Sequence, residues 1–158
     1  MTVTDSYIRN LGAQLEVYRA ILDGAKRQQK AIVDADTQTL EGINAELREL
    51  ESRAKALEAD RDALDGSGAV KTISQLSAAT DPARAHVIDT LGNQLRLVIV
   101  EISDTMALNS ELLSIHFDIV DKLAETITKG VKTNTLYGAS GLEQDENTGY
   151  MSIINTQI

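Results

Sequence analysis

The chain has 158 residues, is 42% hydrophobic and carries a formal charge of −9 at pH 7, with one Phe, four Tyr and neither Trp nor Cys. That length suits one domain with an aliphatic core, and the lack of cysteine excludes disulfides, thiolate nucleophiles and thiolate metal sites. The acidic balance argues against a nucleic-acid partner, whose phosphates are bound by Lys and Arg.

The first helix is expected from about Thr4 to Val33, with Thr4 or Asp5 as its cap. Its seam of mostly apolar residues, Ile8, Leu11, Leu15, Tyr18, Leu22, Ala25, Gln29 and Ile32, keeps the 3-4 spacing of helices packed side by side. Gly12 and Gly24 weaken it, each by about 1 kcal/mol against Ala, so packing must hold it. Asp34-Ala35-Asp36 interrupts the pattern and supplies a capping carboxylate. A second seam follows at Leu40, Ile43, Leu47, Leu50, Ala54, Leu57, Arg61 and Leu64, so the two segments read as a helical hairpin. The acids of this second helix are interleaved with Arg48, Arg53, Lys55 and Arg61. Pairs such as Glu49 with Arg53 have the favourable i to i+4 order of a solvated face.

Asp65-Gly66-Ser67-Gly68 ends the hairpin, and a short helix burying Val70, Ile73 and Leu76 fits between Val70 and Ala79. Asp81-Pro82 is the clearest start signal in the chain, an N-cap followed by proline at the first helical position. From there a third long helix is expected to Lys129, with Gly130 as a left-handed stop. Its seam is Leu91, Leu95, Val98, Ile102, Thr105, Asn109, Leu112, His116, Ile119 and Leu123. Asn109 reads as a register-setting polar residue, and His116 as a packed histidine. The fold class is therefore all-α: an elongated antiparallel bundle made of a hairpin and a longer third helix, over residues 1–130. The tail 131–158 mixes Thr, Asn, Gly and acids with small apolar clusters, cannot bury much by itself, and is expected to be flexible.

The third helix outruns the hairpin, so its end carrying Ile115, Phe117, Ile119, Val120, Leu123 and Ile127 is expected to project as an apolar stripe, the mark of an interaction surface. A kink folding this end back, or weak self-association through it, would cover the same residues. No apolar run reaches the roughly 20 residues of a membrane span and the N-terminus lacks the regions of a signal peptide, so no membrane insertion and a cytoplasmic location are expected. His86 and His116 stand alone, and neither Gly66-Ser67-Gly68 nor Gly138-Ala139-Ser140-Gly141 continues as a phosphate loop, so neither an enzyme nor a cofactor or metal site is expected.

The hairpin residues Asp36, Leu40, Glu46, Leu47, Leu50, Leu57, Arg61 and Leu64, with Asn109-Ser110-Glu111-Leu112-Leu113 upstream of Thr135-Leu136-Tyr137-Gly138-Ala139-Ser140-Gly141, resemble the FlgN family of flagellar type III export chaperones. The likeness covers nearly the whole chain and departs from Leu142 to Ile158. It implies a protein that holds the C-terminal helices of hook-associated proteins, prevents their premature assembly and brings them to the export gate. By position it assigns client contact to Leu112, Ile115, Ile119, Val120, Leu123 and Ile127, and docking at the gate's cytoplasmic domain to Tyr137 and Gly138. The alternative is a structural coiled-coil or tether subunit, in which a stable oligomer would bury the whole third helix.

Overall fold

The computed structural model describes residues 2–64 and 72–135, with side chains as far as 129. Among these residues four helices follow in order: α1 (Val3–Val33), α2 (Thr37–Leu64), α3 (Ile73–Ala78) and α4 (Pro82–Thr135). The chain forms two compact units, residues 1–118 and 119–158.

Side-chain caps fix where each helix begins. Helix α1 starts at Val3, one residue before the expected start, and is capped by Thr2 in place of Thr4 or Asp5, because Thr2 and Asp5 form a reciprocal capping box: Asp5 N–H donates to Thr2 Oγ1 at 3.2 Å and Thr2 N–H to Asp5 Oδ2 at 3.0 Å. The side chain and backbone N–H of Thr2, helped by Arg84, hold the Asp5 carboxyl down at about 2. Asp36 caps α2 as expected, accepting from Thr39 N–H at 3.0 Å and from its hydroxyl at 2.6 Å. Helix α3 has a Thr72–Gln75 box, and Asp81 accepts from Arg84 N–H at 3.1 Å at the start of α4. Val70 and the segment Asp65-Gly66-Ser67-Gly68 lie outside the described residues.

The turn between α1 and α2 closes with Asp36 N–H donating to Ala31 O at 2.9 Å and Ala35 N–H to Ile32 O at 3.1 Å. This is a Schellman stop, with Ala35 in the left-handed position at φ 54° where glycine is usual. In contrast, α4 passes through Gly130, the expected stop, and continues to Thr135. A mid-helix glycine costs about 1 kcal/mol but blocks no i to i+4 bond, so it ends a helix only where the following chain turns away.

Within the first unit, α1 and α2 run antiparallel and α4 runs parallel to α1. The pairs that set these directions are Asn10 to Leu57 and Gln28 to Asn44 across the hairpin, and Arg84 to Asp5 and Lys26 to Glu101 between α4 and α1. Every seam residue of α1 and α2 is buried or half-buried, and so is every seam residue of α4 from Leu91 to His116. One core cluster joins Tyr7, Leu11, Leu15, Leu76, Ile88 and Leu95 from α1, α3 and α4; two others join α1 to α2 through Val17, Leu50 and Ala54 and through Ala31, Ile43 and Leu47.

The α2 side of α1 uses a second seam that its polar composition hides: Asn10, Gln14, Val17, Ile21, Gly24, Gln28 and Ala31, spaced 4-3-4-3-4-3. Gly24 is part of the contact. A Cβ built there would lie 2.7 Å from Leu47 Cδ2 and 3.3 Å from its Cγ, so the Leu47 side chain fills the space that a larger residue at this position would need. Around Gly12 the same atom would meet nothing within 4 Å.

Three substitutions separate these roles in denaturant melts. Gly12→Ala should add about 0.5–1 kcal/mol through helix propensity, and Ala35→Gly should add a similar amount, roughly 1 kcal/mol, by relieving the left-handed strain. Gly24→Ala should lose about 1–3 kcal/mol because Leu47 must be displaced from a packed site.

Candidate functional site: the faces of α4

After Pro82 no proline interrupts α4, and Gly92 and Gly130 are its only glycines, so one continuous helix of 54 residues displays every face in turn. The seam face is anchored by a polar crossing. Asn109, 2% exposed, donates from Nδ2 to Ala25 O at 2.9 Å and to Gln28 Oε1 at 2.8 Å. Gln28 in turn donates to Asn44 Oδ1 at 2.7 Å, so one amide from each of α4, α1 and α2 forms a chain across the first unit. Asn109 Oδ1 is buried without a hydrogen-bond partner. The register-setting reading of Asn109 agrees with this geometry, because a slipped α4 would strand these amides in apolar surroundings. His116 is half-buried on the same seam.

Of the residues expected to contact a partner, Leu112 is half-buried and Ile115 is 48% exposed, both in the first unit. In the second unit Ile119, Val120, Leu123 and Ile127 are all exposed, up to 66% at Ile127. They fall at i, i+1, i+4 and i+8, the spacing of one apolar stripe on a helix. Asp121, Lys122, Glu125 and Lys129 carry the polar positions between them, with a Lys129–Glu125 ion pair at 3.5 Å. Tyr137 and Gly138 lie outside the described residues.

The sequence pattern missed a further exposed set on α4 within the first unit: Leu97, Val100 and Leu108. Their 3-4 spacing could have been found, but Asp104 and Glu111 interrupt it. A groove of about 260 Å³ between α1 and α2 is lined by Ser6, Arg9, Asn10, Ala13, Leu57, Asp60 and Leu64, and Asn10 Nδ2 is tied up there with Leu57 O at 2.9 Å. Nearby, Tyr18 donates to Glu58 at 2.5 Å; burial and that carboxylate push its hydroxyl up to about 12, so it stays a hydrogen-bond donor. Among the described residues no group of three or more His, Cys, Asp or Glu is placed to hold a metal ion, and no helix is long and apolar enough to cross a membrane.

Such a site does its chemistry by burial. Covering Ile119, Val120, Leu123 and Ile127 with a partner helix is worth about 1–2 kcal/mol for each side chain, given that part of each is already covered. The fold is thus all-α, and α4 carries an exposed apolar stripe of the kind that amphipathic helices dock on. A family model described as FlgN protein matches residues 1–145, and the chain belongs to that family, the FlgN flagellar export chaperones. Comparison with curated proteins gave no match, nor did comparison with solved structures. The matched stretch includes Tyr137 and Gly138 and stops short of 146–158.

The amide chain makes a prediction separate from the apolar stripe. Asn109→Ala removes the donor to Gln28 Oε1 and Ala25 O, and should destabilise the fold by about 1–3 kcal/mol. Ser110→Ala, its exposed neighbour, should change stability by less than about 0.5 kcal/mol, as read from paired urea melts.

Proposed function

We propose that this FlgN-family chaperone works in the cytoplasm, where it holds the C-terminal helices of hook-associated flagellar proteins against Leu112, Ile115, Ile119, Val120, Leu123 and Ile127. Bound in this way, a client helix cannot pair with its own kind before export. The supporting observation is a change in burial along one seam: α4 is covered at its seam positions as far as His116, whereas Ile119 and Leu123, at the same spacing, are exposed. A client helix laying its apolar face there gains the burial that the chaperone alone lacks. The energy is moderate, which suits a complex that must come apart when the export machinery takes the client. The scheme uses no nucleotide and no metal ion. Delivery to the cytoplasmic domain of the export gate is assigned to the tail, through Tyr137 and the adjoining Gly138. An aromatic side chain supplies a large contact at small conformational cost.

Replacing Ile119 and Leu123 by Asp tests the client face. Calorimetric binding of a hook-associated protein should be lost, because the new carboxylates must be desolvated in the complex, while the helical circular dichroism and melting temperature stay near the parent values. Retained client binding would reject the face.

Tyr137→Ala tests the handover separately. Client affinity and melting temperature should remain near the parent values, while titration of the chaperone–client complex into the gate's cytoplasmic domain should show a loss of about 1–2 kcal/mol or more. Unchanged gate affinity would reject the docking role, and a marked loss of stability would instead show that Tyr137 belongs to the folded core.

A further inference from the structure

The exposed residues of α4 in the first unit form a seam of their own. Leu97, Val100, Asp104, Leu108, Glu111 and Ile115 follow one another at steps of 3, 4, 4, 3 and 4 residues. At about 100° per residue they fall within roughly 80° of arc on the helix. All six are exposed, Leu97 at 71% and Leu108 at 45%. This is the spacing that α1 and α2 use to pack, left without a partner inside the first unit.

The two acids show what kind of partner fits. Asp104 and Glu111 stand at seam positions one heptad apart, about 10 Å along the axis at 1.5 Å per residue. Neither has a Lys or Arg three or four residues away, and neither makes an ion pair among the described residues. Each carboxylate is therefore set among apolar side chains with no cation of its own. A helix packed over them must either strand them or bring the missing charge.

A second copy of this chain, laid with the same stripe against this one, cannot bring it. No Lys or Arg occurs between Arg96 and Lys122, so two such stripes laid together would oppose carboxylates to carboxylates in an apolar contact. The whole chain, at −9, adds to that repulsion.

From this arrangement we infer that the Leu97–Ile115 face of α4 docks an amphipathic helix of another protein, whose seam carries Leu, Ile or Val and two Lys or Arg residues one heptad apart, placed opposite Asp104 and Glu111. The apolar positions supply affinity, and the charge positions set register and exclude acidic helices. The face is separate from the proposed client face except at Ile115, and its test does not depend on that reading.

Two fluorescent synthetic helices of about three heptads, identical except for Lys or Glu at two seam positions seven residues apart, serve as probes for the full chain. The Lys peptide should bind at least about tenfold more tightly than the Glu peptide by anisotropy. The double variant Asp104→Lys, Glu111→Lys should reverse the order, and Leu97→Ser with Leu108→Ser should abolish binding of the Lys peptide. These positions are exposed, and circular dichroism confirms that the variants fold. Equal binding of the two peptides, or no reversal by the charge swap, would overturn the inference. So would a sedimenting dimer that disappears in the Leu97→Ser, Leu108→Ser variant, since a second copy would then be the occupant. Hook-associated protein should still bind the charge-swapped variant; its loss there would overturn the separation of the two faces.

Discussion

Helix α1 has a partner on each of two sides, and the two sides demand different surfaces. Toward α4 it presents Leu11, Leu15 and Ala25, an aliphatic seam that meets Ile88 and Leu95. Toward α2 it presents Asn10, Gln14, Gly24 and Gln28: Asn10 and Gln28 donate to α2, Gln14 donates to Asn10 Oδ1 within α1, and Gly24 leaves room for Leu47. The arrangement of the first unit follows from this double duty. A helix that buries two faces needs short or self-satisfied residues on at least one of them, because large apolar residues on both would overfill the space between three helices.

Much of this was legible in the sequence, for a definite reason. Apolar residues at 3-4 spacing report a buried face whatever the partner, so the three long helices, the hairpin and the Asp81-Pro82 start could be read directly, and the observed burial of those seams from Ile8 to His116 agrees. The second seam of α1 has the same period but is written in Asn, Gln and Gly, residues that periodicity arguments treat as solvent-facing. Their burial becomes visible only once Leu57 O and Asn44 are seen to take their hydrogen bonds. By propensity alone Gly24 is a weakness, since propensity counts the absent side chain and cannot count the neighbour that needs its space.

Helix ends were the less legible part. Both the start of α1 and the end of α4 extend past the expected points. At Thr2 a reciprocal bond with Asp5 outweighs the simpler choice of a cap at Thr4 or Asp5. At Gly130 the chain continues in the helix because glycine permits a left-handed turn without requiring one. The turn at Ala35 is the converse: the left-handed stop forms without a glycine, held by the two backbone bonds that close it. Among the faces of α4, Ile119, Val120, Leu123 and Ile127 could be picked out by pattern and are exposed. The seam through Leu97 and Leu108 does not stand out as an apolar run because its two acids, Asp104 and Glu111, break it.

Aliphatic seams are nearly periodic objects: displaced by one heptad, about 10 Å, a row of Leu, Ile and Val meets much the same row again. Among the described residues the Asn44–Gln28–Asn109 crossing has no such repeat. It works as the zero mark of a ruler, from which every other residue of α4 in the first unit is counted. Insertion or deletion of a whole heptad between Leu95 and Asn109 would keep the apolar pattern in phase yet offset Ile88 and Leu95 from their places on α1, whereas the same change after Asn109 would leave that packing untouched. The chain is thus free to vary in length on one side of a single amide and constrained on the other.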